Sequence, residues 1–220
     1  MGGSAWVPSD RTIMSAQIEV VNLAQLPSGE TFLSQREQAF FNTLKLPKRR
    51  KEWLGGRFAL KTLVAAQTGA ALTEIEILPQ ENSGKPLLYV RGEIGTLPFS
   101  ITHSNGYAAA AITTDARYIG IDLEKVTHRM DSWKKDFFHP SELTGTSDEF
   151  LTALWTQKEA ATKLLGTGLT IGSFDVRCVG GKVEFFNRAL EIYQQLGCPE
   201  ITLQTTELLP GFQFSVATGK

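Results

Sequence analysis

In this 220-residue chain the spacing of the apolar residues predicts the same order of strands and helices twice. In each half, a short strand-like run is followed by two segments with a helical period and then by further short strand-like runs. Each half is small for independent stability, so we expect the two halves to share a large interface with a cleft in it. The sequence therefore predicts an α+β fold built from two similar α/β lobes.

Proline and glycine residues mark the expected ends of the elements. A helix at residues 48–68 is predicted to start after Pro47 and to end at Gly69, with a second helix before it at residues 35–44. The first lobe, residues 17–114, is predicted to contain strands at 18–21, 74–78, 86–90, 99–103 and 107–113. The second lobe, residues 115–220, is predicted to contain a strand at 119–124, helices at 131–138 and 147–165, and strands around Val176, Val183, Ile201 and Phe212. Residues 1–16 are predicted to be a disordered N-terminal extension.

The composition excludes several classes of protein. A formal net charge of −1, with 42% hydrophobic and 20% charged residues, argues against a surface that coats nucleic acid. The two cysteines lack the spacing of metal ligands, so neither a zinc site nor a disulfide framework is expected. The sequence has no apolar stretch of membrane-spanning length and no signal-peptide pattern. We expect a cytoplasmic protein that binds neither nucleic acid nor membrane.

Carboxylates stand at two places where a divalent metal and a phosphate ester could meet. Asp122 and Glu124 alternate in a predicted strand, so their side chains project from one face. Glu159 and Lys163 are one helical turn apart beside an apolar stripe, and Lys158 lies near the centre of that stripe, where it needs a partner. Mg²⁺ takes a few carboxylates together with phosphate oxygens, so this set suits it. The alternative is a solvated strand end and an ordinary surface ion pair.

Two further segments carry groups that could contact an anion. Lys85 lies between Gly84 and Pro86 at the start of a predicted strand, from where it can reach a phosphate; a simple turn is the alternative. His103 and Ser104 end a strand and could donate to an anion; the alternative is a histidine satisfied within the core.

Common nucleotide-binding and hydrolase motifs are missing from the sequence. It contains no Gly-x-x-x-x-Gly-Lys-Ser/Thr loop and no Gly-x-Gly-x-x-Gly fingerprint. It also lacks the Gly-x-Ser-x-Gly elbow, which disfavours serine hydrolase chemistry. Metal-assisted phosphoryl chemistry remains.

Four motifs in order resemble the motif series of phosphopantetheinyl transferases of the surfactin-synthetase type. They are Gly84-Lys-Pro86, Phe99-Ser-Ile-Thr-His-Ser104, Ile119-Gly-Ile-Asp-Leu-Glu124 and Trp155-Thr-Gln-Lys-Glu-Ala-Ala-Thr-Lys163. The resemblance covers roughly residues 48 to 168, and the chain length fits the two-lobed, pseudo-twofold form of that family. The small trimeric carrier-protein synthases, which share the two metal motifs, have much shorter chains. The resemblance therefore implies an active site at the interface of the two lobes.

The resemblance implies transfer of the phosphopantetheine arm of coenzyme A to a serine of an apo carrier protein, with release of adenosine 3′,5′-bisphosphate. Asp122, Glu124 and Glu159 would hold Mg²⁺, or Mn²⁺ in its place. Glu159, directly or through a water, would accept the serine proton, and Lys163 would bind phosphate. The residues implied around coenzyme A are Lys85, Pro86, His103 and Ser104, with Arg57 and Lys51 near the adenosine 3′-phosphate.

The resemblance also implies a partner. An acyl, peptidyl or aryl carrier protein would contact residues 126–149, where Trp133, Phe137 and Phe138 look exposed beside Lys134 and Lys135. The alternative is that the two phenylalanines only pack a helix. Because two lobes in one chain complete the site, a monomer is expected. Two other functions stay open: a non-catalytic coenzyme A-binding protein and a Mg²⁺-dependent phosphohydrolase.

Overall fold

The computed structural model of the chain describes residues 11–81, 84–167 and 170–220. Its helices are α1 (Gln35–Thr43), α2 (Pro47–Thr68), α3 (Asp131–Phe137), α4 (Asp148–Leu164) and α5 (Asn187–Gln195). The first seven strands are β1 (Arg11–Ile13), β2 (Ala16–Asn22), β3 (Ile75–Pro79), β4 (Pro86–Val90), β5 (Glu93–Ile94), β6 (Phe99–Ser104) and β7 (Tyr107–Ile112). The others are β8 (Tyr118–Lys125), β9 (Val176–Val179), β10 (Lys182–Phe185), β11 (Ile201–Leu209) and β12 (Phe212–Gly219).

Each half of the fold contains one long helix, α2 in the first half and α4 in the second. Pro47 occupies the first turn of α2, where its missing N–H costs nothing, and Gly69 ends the helix in the left-handed conformation, with φ of 67°. Ser147 caps α4 by accepting a hydrogen bond from the Phe150 N–H, and Lys163 lies in the last turn, where the helix dipole favours a cation. Both helices therefore have their ends where the sequence predicts them, to within one residue.

The extent of the predicted N-terminal extension is wrong. Residues 1–10 lie outside the described residues, but Arg11–Ile13 forms β1 and pairs with β2, with Arg11 opposite Ile18. The backbone of this short segment completes a ladder along the edge of β2, so order begins before residue 17. Helix α5 and the two-residue strand β5 were not predicted from the sequence.

Two sheets dominate the structure, with strand orders β1-β2-β7-β6 and β11-β12-β8. Their edge strands β6 and β8 lie side by side but belong to separate sheets. Hydroxyl groups link them: Ser100 Oγ accepts from the Ile121 N–H (3.0 Å), Thr102 Oγ1 from the Leu123 N–H (3.3 Å) and Ser104 Oγ from the Lys125 N–H (3.4 Å). We call these contacts the hydroxyl seam. Because both residue series ascend together, the two strands run in the same direction.

Apolar side chains from both sheets share one core. The central cluster joins residues of β2 and β7, such as Ile18 and Ala111, to residues of β8 and β12, such as Ile121 and Phe214. One further cluster lies around α2 and another around α4. The predicted α+β fold with two sheet-and-helix regions is confirmed.

A buried ion pair fixes α2 in the first half. Lys61 Nζ contacts the Glu37 carboxylate, and both side chains have no exposed area. Glu37 also accepts from the N–H groups of Ser34 (3.0 Å) and Ile77 (2.9 Å). Burial lowers the pKa of Lys61, although Glu37 acts in the opposite direction. The carboxylate thus joins a helix cap, a strand and the long helix.

The second half repeats this arrangement around α4. Lys158 Nζ lies 2.9 Å from Glu142 Oε2, and the two side chains are 2% and 0% exposed. Glu142 accepts from the N–H groups of His139 (2.7 Å) and Cys178 (2.9 Å), again a cap and a strand. The prediction that Lys158 needs a partner is confirmed, and that partner is Glu142.

Within the described ranges, no helix combines the length and the apolar character that crossing a membrane requires.

Candidate active site

Strand β8 and helix α4 approach each other unusually closely at Gly120. A Cβ atom built on Gly120 would lie 2.0 Å from the Ala160 carbonyl oxygen and 2.4 Å from the Leu164 N atom. Any side chain there would push the helix away, so this glycine is required for backbone contact. The contact brings the helix turn that carries Glu159 and Lys163 onto the strand that carries Asp122.

Asp122 is at the centre of the resulting cluster and is only 5% exposed. Its Oδ1 atom accepts hydrogen bonds from Lys163 Nζ (2.7 Å) and Thr102 Oγ1 (2.9 Å). Its Oδ2 atom is buried and has no hydrogen-bond partner among the described residues. Lys163 also donates to the Ile121 carbonyl (3.1 Å), which fixes the amine against β8. One oxygen of Asp122 is therefore saturated and the other is left unpaired.

The other two predicted carboxylates lie close enough to Asp122 to repel it. Burial raises the pKa of Glu159 to about 7, with Asp122 and Glu124 adding to the rise and Lys163 opposing it. Burial and the Asp122 charge also raise the pKa of Glu124, which accepts from Ser104 Oγ (2.9 Å). The cluster thus has more negative than positive charge, and the ionised forms are disfavoured.

This charge imbalance fits a divalent cation. Among the described residues no three acidic, histidine or cysteine side chains form a ready-made metal cage. The unpaired, buried Oδ2 atom of Asp122 nevertheless lacks the positive partner that a buried carboxylate oxygen needs. A hard cation prefers such oxygen ligands and would also relieve the repulsion with Glu124 and Glu159.

His103 stands between this cluster and the start of α2. Its Nδ1 atom lies 3.7 Å from Glu52 Oε1, and its side chain is 39% exposed. Burial lowers the pKa of His103; Glu52 and Asp122 act to raise it, while Lys163 and Arg49 act to lower it. The histidine is therefore placed among charges from both halves of the fold.

Lys85 and Pro86 line a cavity of about 470 Å³ that also reaches Lys163. A Cβ atom on Gly166, whose φ is +74°, would lie 2.8 Å from Lys85 Nζ. The lysine amine thus lies over the end of α4, and Lys85 shares this cavity with Lys163. The cavity walls combine cations with apolar side chains such as Phe99.

Three predicted site residues have other surroundings. Arg57 is half-buried, with its Cζ atom 4.2 Å from the centre of the Trp53 ring, and desolvation lowers its pKa to about 10. Lys51 is exposed on α2. Ser104 directs its hydroxyl at Glu124 within the hydroxyl seam. Only the serine is thereby brought to the cluster, and it meets a carboxylate there.

The predicted aromatic surface is only partly exposed. Phe138 is 1% exposed, so its description as exposed is wrong: it packs into the core beside α4. Trp133 and Phe137 are half-buried and pack edge-to-face against Trp155, with ring centres 5.6 Å and 5.1 Å from it. Met130, just before α3, is 73% exposed.

Sequence reasoning missed three residues that shape the site. Gly120 allows the close approach of α4, Thr102 binds Asp122, and Glu142 pairs with Lys158. A signal existed for Thr102, because hydroxyl residues alternate along β6 at positions 100, 102 and 104. The pairing of Glu142 with Lys158 had no local signal, since the two residues are 16 positions apart and belong to different elements.

The geometry can be set beside known proteins. The model of the 4′-phosphopantetheinyl transferase superfamily matches residues 118–196, the segment that contains β8 and α4. The 4′-phosphopantetheinyl transferase HetI of Nostoc sp. is 30% identical over 181 residues, which cover 74% of this chain and 76% of that protein. The holo-[acyl-carrier-protein] synthase of Geobacillus kaustophilus is 33% identical over 117 residues, 47% of this chain and 89% of that protein. The solved holo-[acyl-carrier-protein] synthase of Thermotoga maritima superposes with a TM-score of 0.36 at 26% identity, over 57% of this chain and 74% of that one.

Proposed function

Because this chain belongs to the 4′-phosphopantetheinyl transferase superfamily, we propose that it transfers the phosphopantetheine arm of coenzyme A to a serine of an apo carrier protein. The observation that carries this proposal is the junction of β8 and α4, where Lys163 donates to Asp122 and the charges of Glu124 and Glu159 act on the same cluster. Three carboxylates near a lysine favour a bound cation together with phosphate oxygens. This combination suits a reaction at a pyrophosphate better than a reaction at a carbonyl group.

In this reaction the serine oxygen bonds to the β-phosphorus of coenzyme A. The bond between that phosphorus and the oxygen of adenosine 3′,5′-bisphosphate breaks, and the bisphosphate leaves. Glu159 accepts the serine proton, directly or through a water. Lys163, held by Asp122 and the Ile121 carbonyl, contributes a positive charge near the phosphoryl oxygens as charge develops on the leaving group.

Mg²⁺, or Mn²⁺, fits this site. Asp122 through its unpaired Oδ2, Glu124 and Glu159 would hold the ion. When bound, such an ion neutralises negative charge on the pyrophosphate. A carboxylate has two oxygens, so Glu159 can coordinate the ion with one oxygen and accept the serine proton with the other.

The remaining site residues are assigned to coenzyme A. Lys85 and Pro86 would contact it from the 470 Å³ cavity, and His103 from the side of α2. Ser104 would act beside Glu124, and the exposed Lys51 and the half-buried Arg57 are weaker candidates for the adenosine 3′-phosphate.

The partner and the assembly follow from the same proposal. A carrier protein with an acidic helix would dock at residues 126–149, where the exposed Met130 and half-buried Trp133 lie beside Lys134 and Lys135. We infer that residues 17–114 and 115–220 are two lobes of one cytoplasmic monomer, with the active site at their hydroxyl seam.

The test of the function is mass spectrometry of an intact apo acyl carrier protein incubated with this protein, coenzyme A and Mg²⁺. We expect the carrier to gain the mass of one phosphopantetheine, and to gain nothing when a chelator is added. Peptidyl and aryl carriers tested in parallel define the substrate range. Coenzyme A that is cleaved without any modified carrier would favour the phosphohydrolase, and coenzyme A that is bound but intact would favour the binding protein.

Lys85→Ala should weaken coenzyme A binding about tenfold, because a lysine–phosphate hydrogen bond contributes on the order of 1.5 kcal/mol or more. The turnover number should change much less, since Lys85 is assigned to coenzyme A binding in the cavity and not to the reacting phosphorus. Isothermal titration calorimetry gives the dissociation constant. Lys182→Ala, at an exposed position of β10, is the matched control. An unchanged dissociation constant would remove Lys85 from the binding site.

A further inference from the structure

Thr102 makes the contact through which β6 reaches the proposed metal site. The residue is 4% exposed, and its single hydroxyl takes part in two hydrogen bonds. It donates to Asp122 Oδ1 (2.9 Å) and accepts from the Leu123 N–H (3.3 Å). A hydroxyl has one proton to donate, so these two bonds fix its direction.

Lys163, the second donor to Asp122, is attached to its helix by a more flexible side chain. Lys163 Nζ reaches the same oxygen from α4, and its side chain is 25% exposed. A lysine amine sits at the end of a flexible chain with several rotatable bonds, whereas a threonine hydroxyl on a strand has few rotamers. Thr102 is thus the more rigid of the two donors to Oδ1.

The unpaired oxygen of Asp122 follows from these two contacts. Both donors bind Oδ1, so the plane of the carboxylate is set and Oδ2 is left buried without a partner. A buried carboxylate oxygen with no hydrogen bond is costly unless a cation binds it.

We propose that Thr102 is a positioning residue that holds Asp122 so that Oδ2, and not Oδ1, binds the divalent cation. The inference rests on the proposed function for the presence of the ion, and on the described contacts for the role of the hydroxyl. It also couples the two sheets: the strand that carries His103 sets the geometry of an acid on β8.

The test compares Thr102→Val, which keeps the branched shape and removes the hydroxyl, with Thr102→Ser, which keeps the hydroxyl. Electron paramagnetic resonance of free Mn²⁺, titrated into the full chain with saturating coenzyme A, measures metal affinity without any transfer reaction. Loss of a group that orients a metal ligand typically costs about 10- to 100-fold in affinity, so we expect a loss of about tenfold or more in the valine variant. The serine variant should stay within about threefold of the wild type, a margin well below that range.

Ser100→Ala is the matched control. Ser100 accepts a β8 N–H in the same seam and is similarly buried, at 7% exposure against 4% for Thr102, but its described hydrogen bond involves no carboxylate. Its loss should leave Mn²⁺ affinity unchanged. A control that loses as much affinity as Thr102→Val would show that the seam as a whole, and not the contact with Asp122, is responsible, and would overturn the proposal.

Further outcomes are decisive as well. A folded Thr102→Val protein with wild-type Mn²⁺ affinity overturns the proposal. If the valine variant does not fold, the serine variant carries the test, because a tenfold loss there overturns it equally. Wild-type protein that binds no Mn²⁺ overturns both this inference and the metal assignment. Wild-type protein that binds Mn²⁺ and modifies no carrier overturns the proposed function alone.

Discussion

Glu159→Gln is expected to lower carrier modification about 10³-fold, the middle of the range for loss of a general base. The substitution keeps the size of the side chain and removes its negative charge. It therefore removes both a proton acceptor and one proposed metal ligand without creating a cavity. The rate of carrier modification in the mass-spectrometric assay measures the effect.

The same substitution should stabilise the metal-free protein at pH 8. The pKa of Glu159 is raised from 4.5 to about 7, chiefly by burial and then by Asp122. A carboxyl group with a raised pKa contributes stability that is fully present below pH 4.5 and lost as pH rises through about 7. Glutamine does not ionise and avoids this loss, which is on the order of 2 kcal/mol. Thermal unfolding in a chelator should show a melting temperature about 5 °C above wild type.

Glu184→Gln, at an exposed position of β10, is the control for both effects and should change neither. Carrier modification by Glu159→Gln within tenfold of the wild type would remove Glu159 from the reaction. A lower melting temperature at pH 8 would contradict the repulsion among the three carboxylates.

Lys158→Met is expected to destabilise the protein by about 3–5 kcal/mol, because it leaves the buried Glu142 carboxylate without its cation. Methionine has a similar length, so the loss of charge and not of volume is tested. Urea unfolding gives the free energy, and a fall in melting temperature of about 10 °C should accompany it. Adding Glu142→Gln should recover part of the loss, since an amide oxygen can still accept from the His139 N–H.

Lys134→Met provides the comparison at the surface. Lys134 pairs with Asp131, whose side chain is 86% exposed, so its loss should cost less than about 1 kcal/mol. If Lys158→Met cost no more than this control, the buried pair would contribute no more to stability than an exposed one, which would contradict the prediction.

Most helices and strands could be predicted from the sequence because apolar periodicity and the proline and glycine residues at element ends are local features. Strand β4 was predicted at its observed bounds, and α2 was predicted within one residue of its start. Helix α5 was missed although it is as long as α1, because no side-chain cap marks its start and Asn187 enters it with a φ of 44°. Its one fully buried residue, Ala189, is too small to mark an apolar face.

Within the site, the sequence could place side chains on one face of a strand or helix, but it could not identify which other element packs against that face. The alternation of β8 put Asp122 and Glu124 together, and the helical turn put Glu159 beside Lys163. That Asp122 meets Lys163 depends on how the strand and helix pack. The spacing within an element carries no information on that packing, so the alternation of hydroxyl residues along β6 did not reveal that Thr102 contacts Asp122.

Because of the hydroxyl seam, the backbone amide protons of β8 fall into two sets with different hydrogen-bond acceptors. Those of Ile121, Leu123 and Lys125 point at side-chain oxygens of β6, while alternate residues of the strand face its partner β12. Separation of the two sheets would expose the first set to solvent deuterium while the second set stays protected. A single strand thus reports, residue by residue, whether the molecule opens along its interface or unfolds through its sheet.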